Sequence, residues 1–167
     1  LGAAFWMFAL LGGLCQILAT HLTVALLSMR NFAVGIAFTK TETVQVALFS
    51  ILLLGESVSP QGWIAIVVGM IGVGFLSTRT VGGALLSRTT VFGILAGGLF
   101  GLSVICFRGA ALSLGDAPAA VRAFVTLACV TTAQTLAMGL WMRLFEMGEL
   151  TRVFSTWRRT IWVGVTG

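Results

Sequence analysis

The stretch "AFTKTETVQVALFSILLLGE", Ala37 to Glu56, decides how this chain is read. It is apolar enough for a membrane helix, yet Lys40, Glu42 and Gln45 stand inside it. Starting a helix at Gly35 leaves Lys40 about 8 Å and Glu42 about 11 Å from its end. Lysine can snorkel from that depth; the shorter glutamate cannot do so as well. An ionisable group near the centre of a bilayer costs at least about 2.5 kcal/mol and usually faces a cavity or a partner. Positions two apart on a helix lie on different arcs, so Lys40 and Glu42 do not meet directly. Glu42 shares its face with Gln45, and Thr41 also lies near Gln45, one turn on. The counter-charge of Lys40 is then a carbonyl, a headgroup, another helix or an anionic substrate. Two readings stay open: a functional cavity, or snorkelling combined with a structural hydrogen-bond network.

Outward from this stretch the chain is almost free of charge. Of 167 residues, 58% are apolar and 9% charged, against roughly 25% charged in a soluble domain. Mean hydropathy is +1.06. No Asp, Glu, Lys or Arg occurs in residues 1–29, 57–78, 89–107 or 123–142. Each run is at or near the roughly 20 residues that cross a hydrocarbon core. Strand alternation is absent, which argues against a barrel. The expected fold class is all-α, a polytopic helical membrane protein. The chain opens on Leu1 inside one apolar run and stops at Gly167 inside another. The expectation is a fragment of a longer protein, so a missing leader is uninformative.

Five spans and a stub are expected: residues 3–27, 31–54, 60–77, 91–113 and 119–143, with the stub opening near 160. Ser59 suits an N-cap and Pro60 the first helical position. The Gly-containing connection "TRTVGGALLSRT" is the best boundary between two halves. In "EMGELTRVFSTWRR", Leu150, Val153, Phe154 and Trp157 recur at helical spacing with Arg152, Arg158 and Arg159 among or beyond them. That pattern suits a short helix in the headgroup plane; a solvated loop is the alternative. Arg30, Arg79, Arg88, Arg143, Arg152, Arg158 and Arg159 follow the first, third and fifth spans. The positive-inside rule puts those turns in the cytoplasm.

Weaker polar stripes are Gln16, Thr20 and Thr23 on the first span, and Thr131, Gln134 and Thr135 on the last. Such groups line cavities or simply hydrogen-bond between helices. Gly93, Gly97 and Gly101 form two overlapping GxxxG steps, and Gly62, Gly69 and Gly72 resemble them on the third span. Close helix packing is the expected role; gating is the alternative. Arg108, Asp116 and Arg122 cluster at the turn before the last span, as an interface charge cluster or a gate. Glu56 precedes the Ser59–Pro60 helix start, where an anion is favoured.

The three cysteines fit no zinc or CxxC spacing, and the single histidine, His21, has no second ligand nearby. No metal and no cofactor is expected. The net charge of +5 is carried mainly by arginines between apolar runs, which suits the lipid bilayer as a partner rather than nucleic acid. There is no nucleophile triad, phosphate loop or carboxylate pair, so nothing calls for an enzyme.

The run "LLLGESVSPQGWIAIVVGMIGVGFLS", Leu52 to Ser77, resembles the fourth-to-fifth helix signature of the EamA-type transporters of the drug/metabolite transporter superfamily. Leu54, Gly55 and Glu56, with Gly62, Gly69 and Gly72, carry the likeness, Pro60 opening the second helix. "GDAPAAVRAF" resembles the turn between the first two helices of a repeat. The resemblance implies ten helices in two inverted five-helix repeats with a substrate cavity between them. Residues 1–78 would end the first repeat, 79–89 link, and 90–167 begin the second. It implies a bacterial inner-membrane exporter of a small polar metabolite or drug-like compound, working by alternating access. Lys40, Thr41, Glu42, Gln45 and Gln16 are the expected substrate and coupling residues, with the proton as one candidate coupling ion. Many relatives carry a proline mid-helix where this chain has Lys40-Thr41-Glu42-Thr43, so the substrate does not carry over. The family topology with its N-terminus inside also places the Arg79/Arg88 linker outside, against the charge bias. A non-transporting membrane scaffold is the rival reading, with the glycine faces as contact surfaces and the Lys–Glu pair setting helix register.

Overall fold

The computed structural model describes residues 1–29, 32–55, 57–78, 88–146, 148, 151–157 and 161. Six helices follow one another: α1 (Ala3–Leu27), α2 (Phe32–Thr39), α3 (Glu42–Leu54), α4 (Pro60–Thr78), α5 (Arg88–Leu112) and α6 (Ala119–Phe145). A further short helix covers 151–157, and no strand occurs among the described residues. Among these residues, α1, α5 and α6 are long and apolar enough to cross a membrane. The fold is all-α, and these three helices mark a membrane protein. The outward apolar side chains agree: Leu10, Leu14, Leu18, Ile64, Phe124 and Leu127 are all exposed. A water-soluble surface rarely tolerates so many together.

Local sequence explains most helix ends. The Ser59 Oγ accepts the Gly62 N–H at 3.2 Å, and Pro60 opens α4 where its missing N–H costs nothing. Gly55 ends α3 with φ +64°, the left-handed conformation that glycine adopts freely, and its N–H donates to the Ser50 carbonyl. Gly115, at φ +69°, turns the chain before α6. There Arg122 donates to the Gly115 carbonyl at 3.3 Å. Asp116 makes no ion pair among the described residues, so the expected charge cluster holds the turn through a carbonyl instead.

The second expected span is corrected. It is not one helix over 31–54 but two, α2 and α3, broken at Lys40 and Thr41. Two threonines flank the break. Thr39 Oγ1 donates to the Ile36 carbonyl and Thr41 Oγ1 to the Phe38 carbonyl, each at 2.7 Å. The Thr41 N–H also takes the Phe38 carbonyl, at 3.1 Å. Hydroxyl back-bonds of this kind also occur inside the unbroken α1 and α5; what marks the break is the tightened turn in which the Thr41 N–H bonds three residues back.

Two compact units are present, Leu1–Val130 and Thr131–Gly167. In the first, α5 is the central helix and packs on α1, α2 and α3. Gly12 lies against Phe107 and Cys106, Gly109 against the Phe8 ring, and Gly35 against both Leu26 and Thr89. These contacts run in opposite chain order, so α1 and α5 are antiparallel. Phe5, Ala9, Ala110 and Val130 form the buried cluster at one end of this interface. Lipid gives no hydrophobic drive between helices, so such small-residue contacts hold them through dispersion. Of the connection expected at 79–89, residues 79–87 lie outside the described ones. In the second unit, Trp141 stacks on Phe145 at 4.4 Å between ring centroids. The helix at 151–157 is exposed throughout. It carries Val153, Phe154 and Trp157 on one arc and Arg152, Ser155 and Thr156 on the other.

Candidate functional site: a broken helix on a glycine face

The break at Lys40–Thr41 rests on the α5 glycines. Gly93 lies beside the Gly35 carbonyl and the Phe38 side chain. A methyl group at Gly97 would stand 2.9 Å from the Thr39 carbonyl oxygen and 3.3 Å from the Glu42 nitrogen. At Gly101 it would meet Val46 at 3.2 Å. Contacts rise together along both chains, so α2–α3 runs parallel to α5. The glycine row brings backbone to backbone at the very turn where the helix opens.

Gln45 ties the break together. Its Nε2 donates to Thr41 Oγ1 at 2.9 Å and to the Ile94 carbonyl of α5 at 3.3 Å. Backbone freed from a helix ladder in an apolar setting requires such replacement partners. Thr41 and Gln45, expected to orient a substrate, are therefore engaged with the protein itself.

The two charges take different places. Lys40 follows the last residue of α2, and Glu42 is the first residue of α3. A cation suits the carbonyl end of one helix and an anion the N–H end of the next, worth roughly 0.3–1 kcal/mol each at a surface. No ion pair joins them, and neither side chain has a hydrogen-bond partner among the described residues. Lys40 is exposed and Glu42 half-buried.

Lys40 lines a cleft of about 160 Å³ together with Thr43 and Val44. Ile66, Gly69 and Met70 of α4 form the opposite wall. A methyl at Gly69 would touch nothing within 4 Å, and the same holds at Gly72. The close packing expected of these two glycines is thus not made among the described residues, and Gly69 borders open space. Gly62 lies instead beside Val58 and Ser59 of its own helix start. Gln16 is half-buried on α1, its carbonyl accepting from Thr20 Oγ1 at 2.8 Å, and does not line this cleft. Glu56 lies outside the described residues. No group of three or more His, Cys, Asp or Glu that could hold a metal occurs among the described residues.

The sequence singled out Lys40 and Glu42 but not the α4 wall. Ile66, Met70 and Ala65 look like any lipid-facing residues in sequence; only Gly69, by its small size, hinted at space. Comparison with protein families, with curated proteins and with solved structures found no match.

Proposed function

We propose that the chain is part of a polytopic secondary transporter that exports a small metabolite or drug-like compound by alternating access. The observation that carries this reading is the helix broken against Gly97 of the spanning-length α5, with Lys40 and Glu42 at the facing helix ends and Lys40 lining a cleft. Transporters place substrate and ion sites at such discontinuous helices, using the half-helix ends as partial charges. An intramembrane ionisable residue is itself a functional-site hypothesis. The Leu-Gly-Glu resemblance of residues 54–56 to EamA-type transporters points the same way, with the inverted repeats and a bacterial inner membrane as part of the proposal. Lys40 is the substrate-facing charge. Glu42 is the coupling residue, placed at the N–H end of α3. Thr41 and Gln45 hold the break in one geometry so that both charges are presented.

The test uses cells making the complete protein, wild type or Glu42→Gln, at equal membrane abundance. Metabolites in medium and cytosol are compared by mass spectrometry. Export of one compound class that falls roughly tenfold in Glu42→Gln, equivalent to 1.4 kcal/mol on the transport barrier, supports the reading. Export with unchanged pH dependence in the variant removes Glu42 from coupling. No shift of any compound with wild type favours the scaffold reading.

A further inference from the structure

We infer that the cleft between the helix break and α4 binds a small organic monoanion with an apolar body, such as a medium-chain or aromatic carboxylate. The inference deepens the transport reading and rests on it for the claim that this ligand is the cargo. Four features of the cleft select the class. Its one charged side chain is Lys40, and no acidic side chain lines it among the described residues. A cation or a zwitterion would leave its ammonium group without a counter-charge among the cleft's described lining residues. Thr43 adds a hydroxyl on the same wall as Lys40, able to donate to a carboxylate oxygen. Val44, Ile66 and Met70 supply an apolar wall. Methionine is adaptable and contacts aromatic rings favourably.

Size narrows the class further. The cleft measures about 160 Å³, close to the engineered cavity of about 150 Å³ that accepts benzene. Gly69 borders that volume, and a methyl at this position would touch nothing within 4 Å. A ring or a short branched chain fits, with its carboxylate at the Lys40 end. Acetate has no body to fill the wall, and a nucleotide or sugar phosphate is too large and too polar. Lys40 has no other partner among the described residues, so the ligand would supply a counter-charge that none of them does.

The experiment measures binding and flux separately. The complete protein is placed in lipid nanodiscs for binding and in liposomes for flux. The probes are radiolabelled benzoate and hexanoate, with acetate, benzylamine and phenylalanine as comparison solutes. Benzoate and hexanoate are expected to bind, and the three comparison solutes to bind at least roughly tenfold more weakly. Lys40→Gln should weaken benzoate roughly tenfold while Lys40→Arg keeps most of the affinity. Gly69→Leu, which adds a bulky side chain at the edge of the cleft, should weaken benzoate binding roughly tenfold with melting temperature preserved. Equal binding of benzylamine and benzoate overturns the proposal, as does benzoate affinity unchanged in both Lys40→Gln and Gly69→Leu. Benzoate binding without flux supports the cleft assignment and counts against transport. Flux of another solute without benzoate binding overturns the cleft assignment and leaves the transport reading intact.

Discussion

Replacing Gly97 by alanine adds one methyl group where α5 meets the break. That methyl would stand 2.9 Å from the Thr39 carbonyl oxygen and 3.3 Å from the Glu42 nitrogen. Both are backbone atoms, so they cannot swing aside as a side-chain tip can. Overpacking of this kind costs about 1–3 kcal/mol. Against it stands the helix preference of alanine over glycine, about 0.8–1 kcal/mol. Gly69→Ala supplies the control, because that methyl meets nothing within 4 Å and only the helix preference acts. The two variants should therefore differ by the packing cost alone, about 1–3 kcal/mol. In a chain of this size that separates their melting temperatures by roughly 2–12 °C. A thiol-reactive dye reads the transition, since Cys15 and Cys106 are buried in α1 and α5. The dye should react with Gly97→Ala at a lower temperature than with Gly69→Ala. Equal melting, or a more stable Gly97→Ala, would refute backbone-to-backbone contact at the break.

Gln45→Leu removes the bonds to Thr41 and Ile94; at roughly 0.6 kcal/mol per membrane hydrogen bond, thiol exposure should begin a few degrees earlier, and unchanged melting would count against Gln45 as the tie. Thr43→Cys places a thiol in the cleft, so a charged, water-soluble thiol reagent should label it at least roughly tenfold faster than buried Cys106. Equal labelling would show that water does not reach the cleft. In a variant whose sole tryptophan is Trp157, fluorescence should be quenched most by lipids brominated near the headgroup, because Val153, Phe154 and Trp157 share one arc of the helix at 151–157. Absence of quenching by any brominated lipid would place that helix in solvent.

The sequence by itself determined the solvent and the class of structure. Long runs without charge cannot stay in water and cannot leave backbone groups unpaired in lipid, so helices of spanning length follow. It also determined the local stops: Ser59 before Pro60 starts α4, and Gly55 ends α3, because capping and left-handed backbone depend on residues a few positions apart. Lys40 and Glu42 were legible as misfits in an apolar run. What the run concealed was the break between them, since hydrophobic periodicity counts apolar positions and does not register where the hydrogen-bond ladder stops. Only the tertiary structure set Gly97 of α5 against that break and bonded Gln45 across to Ile94. Only there does Gly93 pack tightly while Gly69, an equally small residue in an equally apolar helix, borders a cleft. A glycine in sequence permits close approach; whether a neighbour arrives depends on helices distant along the chain.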